Sequence, residues 1–231
     1  MLSKRSTLSL CAVGLAVFAV GATARAETLS NLLSGGNQTM IVVGNTVYSN
    51  FTYGGTTPAS DVTINTTTDA SGNQTLEFTT STNGWTTPSG SSQIGYDVTL
   101  TGASVSAVGL GFTASASGGA AAFVGETITD TANSNKTYSL SVFTDGPGGL
   151  ADNTTDSATL DPASASFHVL KSIDVSTGAT GGGAATITLV DNTYTQSNGG
   201  GGSQPGVPEP MSLALLPLGL AGLALRKKLA R

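Results

Sequence analysis

The residue types that could do chemistry are scarce in this chain. Its single histidine, His168, sits in the alternating run Phe167-His168-Val169. A Ser-His-Asp hydrolase needs an imidazole beside a nucleophile and an orienting acid, and the chain has no Gly-x-Ser-x-Gly elbow to present such a serine. His168 is therefore expected on the solvent face of a strand. No catalytic residue is assigned, and the chain is read as a non-enzyme, with a secreted hydrolase as the second alternative. One histidine and one cysteine, Cys11, are too few for a zinc site of nitrogen and sulfur ligands. Calcium takes oxygen ligands, and Asp145, Asp152, Asp156 and Asp161 fall in or beside a glycine-rich stretch that offers carbonyls. Their spacing fits no EF-hand loop, and aspartates in turns commonly cap their own backbone. Asp152 and Asp156 stand as the candidates for a Ca2+ site, and no other cofactor is expected. The single tryptophan, Trp85, lies in Asn83-Gly84-Trp85-Thr86-Thr87-Pro88, where an indole could stack on a sugar face or plug the core. A non-catalytic glycan-binding module built on Trp85 is the first alternative function. No two of the carboxylates stand out as the pair a glycoside hydrolase requires.

These side chains must be carried by elements that the sequence marks clearly. From Thr39 onward, short runs with apolar residues two apart recur between Gly, Asn, Ser and Asp clusters, as in Ile94-Gly95-Tyr96-Asp97-Val98-Thr99-Leu100 and Tyr138-Ser139-Leu140-Ser141-Val142. That period suits strands with one buried and one wet face. Ten to twelve such runs, with only Leu29 to Leu33 hinting at a helical turn, point to an all-β domain, a β-sandwich or jelly roll. The 35 threonines fit the same reading, because their branched carbon suits a pleated surface while the hydroxyl faces water. One residue breaks the pattern: Lys171 shares the parity of Phe167, Val169, Ile173 and Val175. Burying a lone ammonium is costly, so a bulge is expected there, or a lysine stretching to the rim to meet a carboxylate.

Charge sorts the chain into a body and two ends. Residues 27–206 hold 13 acidic residues against Lys136 and Lys171, a net of 2 − 13 = −11, so binding to nucleic acid by counterion release is excluded. The other basic residues are Lys4, Arg5, Arg25, Arg226, Lys227, Lys228 and Arg231. At the front, Lys4 and Arg5 precede an apolar run from Leu8 to Ala22, followed by Ala24-Arg25-Ala26. This is the pattern of a secretory signal helix, residues 1–26, with Ala24 and Ala26 at the positions a signal peptidase reads and Glu27 as the new N-terminus. Cys11 leaves with it, so the mature domain holds neither disulfide nor thiol. At the back, a glycine-rich linker at 198–206 leads to Val207-Pro208-Glu209-Pro210, an apolar run from Met211 to Leu225, and Arg226-Lys227-Lys228. A helix over that apolar run would be about 22 Å long, a short transmembrane helix with its basic end in the cytoplasm.

The order Val-Pro-Glu-Pro, short apolar helix and basic cluster resembles the PEP-CTERM sorting signal of exported bacterial proteins, here over residues 207–231. The resemblance implies that Val207, Pro208, Glu209 and Pro210 form the motif recognised by a membrane protease-transpeptidase, exosortase. It further implies a Gram-negative-type host, transient anchoring in the inner membrane, processing near the motif, and a final place at the cell surface or in the extracellular matrix beside exopolysaccharide. The segments Ile41-Val42-Val43-Gly44-Asn45, Tyr48-Ser49-Asn50-Phe51-Thr52-Tyr53 and Phe167 to Val175, with Tyr194-Thr195-Gln196, are similar to the β-sandwich domains such proteins often carry. The expected organisation is then a signal peptide at 1–26, a β-sandwich at 27–197, the linker, and the sorting segment. The expected function is a structural or adhesive role in an exopolysaccharide or biofilm setting. Six Asn-x-Thr triplets, at Asn37, Asn50, Asn65, Asn73, Asn135 and Asn153, follow in a bacterial host from an Asn- and Thr-rich composition.

Overall fold

In the computed structural model the described residues are 25–34, 39–80, 84–88, 90–133, 135–145, 152–178 and 181–197. The strands are β1 (Arg25–Thr28), β2 (Met40–Val43), β3 (Thr46–Gly55), β4 (Val62–Thr68), β5 (Gln74–Thr80), β6 (Trp85–Thr86) and β7 (Ser92–Leu100). They continue as β8 (Ser104–Ser117), β9 (Ala121–Asp130), β10 (Lys136–Asp145), β11 (Thr155–Ser164), β12 (Ser166–Ser176) and β13 (Ala184–Ser197). All pairings are antiparallel and fall into two sheets. One runs β1-β4-β5-β13-β8-β11, with β6 also on β13; the other runs β10-β9-β12-β7-β3-β2. Among the described residues there is one α-turn, α1 (Leu29–Leu33), which buries Leu29 and Leu32. The domain is thus all-β and sandwich-like. The signal segment as far as residue 24, the linker and the sorting segment lie outside the described residues, and among the described residues no helix is long and apolar enough to cross a membrane.

Alternation places the core as the sequence leads one to expect. On β12, Phe167, Val169, Ile173 and Val175 are buried while Leu170, Asp174 and Ser176 are exposed. The inward faces meet through aromatic rings. Tyr48, Tyr96 and Phe167 of the second sheet lie 5.7–5.8 Å, centroid to centroid, from Tyr194 or Phe78 of the first. Tilted pairs at this range add about 0.5–1.5 kcal/mol each beyond the area they bury. Pro162 is accommodated in β11 because that strand lies at a sheet edge, and its pairing with β8 breaks between Thr159 and Ser164.

Bulges in β3 and β13 change the parity that a plain alternation would give. In β3 the register slips between Ser49 and Thr52, with Asn50 at φ 52°, so the buried set moves from Thr46 and Tyr48 to Phe51. In β13 it slips between Ile187 and Leu189, so Ala185 and Ile187 are followed inward by Val190, Asn192 and Tyr194. This bulge takes Leu189 off the inward face that Ile187 occupies and turns Asn192 into the core.

Candidate functional site, a buried polar network between the sheets

Lys171 is not at a bulge or at the rim. β12 keeps unbroken register with β7 and β9 through that position, and the lysine is fully buried. It does meet a carboxylate, but in the interior: Glu126, directly opposite on β9, with both side chains entirely out of solvent. Glu126 occupies the same inward parity as Ala122, Val124 and Ile128. The rim expectation treated the ammonium as alone. A second charge at an inward position of another strand removes that premise, since a buried charge persists when it is paired and hydrogen-bonded.

The pair is completed from the opposite sheet. Asn192 of β13 donates through Nδ2 to Glu126 Oε1 at 3.0 Å, to Oε2 at 3.1 Å and to the Gly109 carbonyl at 3.0 Å. Its Oδ1 accepts from the Tyr96 hydroxyl at 2.7 Å. Carboxylates and carbonyls only accept, so this amide orientation is fixed by its neighbours. Tyr96 has one proton and spends it on Oδ1. The contact at 2.7 Å between the Tyr96 and Tyr194 hydroxyls is therefore a donation from Tyr194. Nearby, Tyr48 donates to Gln74 Oε1 at 2.9 Å, and Gln74 donates to the Val43 carbonyl at 2.8 Å. The Phe78 ring centroid lies 6.0 Å from Lys171 Nζ.

Burial governs the electrostatics. Desolvation lowers the Lys171 amine from its ordinary value, opposed by the attraction of Glu126. Desolvation also raises the phenols of Tyr96 and Tyr194 well above their usual value, so both remain neutral donors. Burial likewise raises Asp191, opposed by Lys171. The site thus assembles a lysine with a weakened hold on its proton, a carboxyl group, a polarised carboxamide and two phenols, in a place that excludes water.

The residues singled out by sequence lie elsewhere and apart. Trp85 is fully buried and donates from its indole nitrogen to the Ser92 hydroxyl at 3.0 Å, so it plugs the core and no face is open to a sugar. This corrects its reading as a stacking platform: Trp85 lies on β6, paired with β13 opposite Ile187, and not in an exposed loop. Asp152 Oδ1 accepts from Thr144 Oγ1 at 2.7 Å and from the Asp145 amide at 3.2 Å. Asp156 accepts from the Ser141 and Ser157 amides, each at 2.8 Å. The two carboxylates are engaged separately, and among the described residues no group of three or more His, Cys, Asp or Glu gathers as a metal centre. Ala26 lies on β1 opposite Asn65, while Ala24 and Val207, Pro208, Glu209 and Pro210 fall outside the described residues.

His168 lies on the outer face as expected, with a partner the sequence did not reveal. Its Nδ1 is 2.6 Å from Asp97 Oδ1 across the β12–β7 ladder, and Asp97 Oδ2 accepts from Asn50 Nδ2 at 2.7 Å. Among the described residues no hydroxyl is hydrogen-bonded to the imidazole. Elsewhere on this sheet, Phe123 and Leu170 stand exposed around a depression of about 360 Å³ above Gly125, which His168 does not line.

No family model matches the chain, and no curated protein matches it. Among solved structures it is similar to the enzymatically active domain of tailspike protein 4 of bacteriophage CBA120, at 15% identity over 64% of this chain and 19% of that one. The TM-score of that match is 0.22, too low to carry an argument about fold or activity.

Proposed function

We propose that this is an exported bacterial protein, sorted by exosortase and placed at the cell surface or in the extracellular matrix, where its β domain has a structural or adhesive role beside exopolysaccharide. The observation that carries this reading is the fixed order at the end of the chain: Val207-Pro208-Glu209-Pro210, the apolar run from Met211 to Leu225, and Arg226-Lys227-Lys228. The tripartite run before Glu27 supports it, since sorting requires export. Signal cleavage after Ala26 takes Arg25 and Ala26 from β1 and leaves the Glu27–Ile64 and Thr28–Thr63 pairs. A β domain with many hydrogen-bonded ladders suits a module that bears load and persists outside the cell. The assigned role involves no catalysis on an outside substrate, and glycan binding loses the tryptophan on which it was built.

The test is the intact mass of the protein from its native host, compared with a Glu209→Ala variant. The expected wild-type species begins at Glu27 and ends near Pro208, while the variant keeps its tail in the membrane fraction. Retention of residues 211–231 in both would reduce the segment to a plain anchor and overturn the sorting reading.

A further inference from the structure

We propose that Lys171 and Asn192 form a covalent cross-link: the Lys171 amine displaces ammonia from the Asn192 carboxamide, leaving an amide bond between Nζ and Cγ that joins β12 of one sheet to β13 of the other. This does not rest on the sorting reading.

The geometry is that of an intramolecular aminolysis held ready. Lys171 Nζ and Asn192 Nδ2 both lie against Glu126 Oε2, so amine and carboxamide are neighbours across a single oxygen. All three side chains are buried, which fixes their rotamers and keeps out the water that would compete as a nucleophile. Holding two reactants in this way is worth effective molarities of roughly 10⁵–10⁸ M, enough to offset the poor reactivity of an amide toward an amine. The acceptor is also polarised. Tyr96 donates to Asn192 Oδ1, and Tyr194 donates to Tyr96, so a chain of two phenols points at the oxygen on which negative charge develops. Desolvation makes the ammonium readier to give up its proton, as the nucleophile requires.

Glu126 is the catalytic residue, since it touches both reacting groups. Its carboxylate takes one proton from the Lys171 ammonium, and the freed amine attacks Asn192 Cγ. The carboxyl then gives its proton to Nδ2 and receives the one still carried by Nζ. The Nδ2–Cγ bond breaks and ammonia leaves. The ammonium, carboxylate and carboxamide become a secondary amide, a neutral carboxylic acid and one ammonia, so atoms and charge balance. The driving force comes from the same burial: an ion pair held out of water carries a large desolvation cost, and the product leaves only neutral groups in the core. A domain without cysteine would thereby gain a cross-sheet bond resistant to reduction.

The bond leaves a plain chemical mark. Between Lys136 and Arg226 the one tryptic site is Lys171, and trypsin does not cut after an acylated lysine. Folded wild-type protein, then denatured and digested, is expected to yield one uncut fragment running through Lys171, lighter than its sequence by the mass of one ammonia, about 17 Da. Tandem fragmentation should place the link between Lys171 and Asn192. Asn192→Ala and Glu126→Gln should each restore the cut and the full mass. The wild type decides the matter whether or not the variants fold. A wild-type protein whose buried Trp85 reports a native core, yet which is cut after Lys171 with no mass deficit, would overturn the proposal and leave an ordinary ion pair. Cross-linking of Glu126→Gln to the wild-type extent would overturn the proton-transfer role.

Discussion

Replacing Trp85 by alanine separates a core plug from a ligand platform, and the size of the effect can be worked out from its surroundings. The side chain is fully buried, and β6 holds it against Ile187 of β13. Truncating such a tryptophan removes its transfer free energy and leaves a cavity, together about 3–5 kcal/mol. Its polar partner adds little, because Ser92 Oγ is also within 2.9 Å of the Tyr53 hydroxyl and so keeps a hydrogen bond after the indole is gone. For a domain of this size each kcal/mol moves the midpoint by about 2–4 °C, so Trp85→Ala should lower Tm by roughly 6–20 °C. Far-UV circular dichroism reads both proteins. The wild type adds an internal check: its one tryptophan should emit at short wavelength when folded and shift to the red on the same transition. A drop of less than about 3 °C would refute the cavity reasoning, which requires several kcal/mol. Loss of saturable polysaccharide binding in Trp85→Ala at unchanged Tm would return the residue to a binding role.

Two pH dependences follow with opposite sign. Burial raises the Tyr48, Tyr96 and Tyr194 phenols above their ordinary 10.0, so their contribution is intact below pH 10 and is lost as pH rises through the folded values. In a spectrophotometric titration these three of the five tyrosines should ionise only together with alkaline unfolding; smooth ionisation of all five in folded protein would contradict their burial. Asp69 closes the β4–β5 turn by accepting from the Asn73 side chain and from the Ser71 and Asn73 amides, which lowers its carboxyl below the ordinary 3.8. Its contribution is present above pH 3.8 and lost as pH falls through the folded value. Urea unfolding of Asp69→Asn should show a deficit at pH 7 that closes in strong acid, and a deficit independent of pH would argue against the carboxylate.

The strands were legible because a half-buried sheet imposes period two, and Thr and Ser between aliphatics leave little else to read. The buried network was half legible. Lys171 announced itself by parity, and Glu126 carries the same signal between Val124 and Ile128, but their pairing is a matter of which strands adjoin, 45 residues apart in the chain. Asn192 gave no signal, since only the bulge near Thr188 turns it inward and a straight continuation from Ile187 would have chosen Asp191. Trp85 was ambiguous for a different reason: glycine and proline around an aromatic mark a turn without saying which side of it faces solvent. His168 was placed on the correct face, yet its Asp97 partner required knowing that β7 lies beside β12.

The position of β13 has a mechanical consequence. At 14 residues it is among the longest strands, and it lies inside its sheet, laddered to β5 and β6 on one side and to β8 on the other. Antiparallel hydrogen bonds run perpendicular to the strands, so tension applied at Ser197 along the strand axis loads both ladders in shear, with many bonds resisting together. The edge strand β1 is held by one ladder of four residue pairs and would peel bond by bond under transverse tension. A tether drawn through the C-terminal end thus pulls on a strand laddered along both sides, whereas a pull at Glu27, the mature N-terminus under the proposed cleavage, loads only the short β1–β4 ladder.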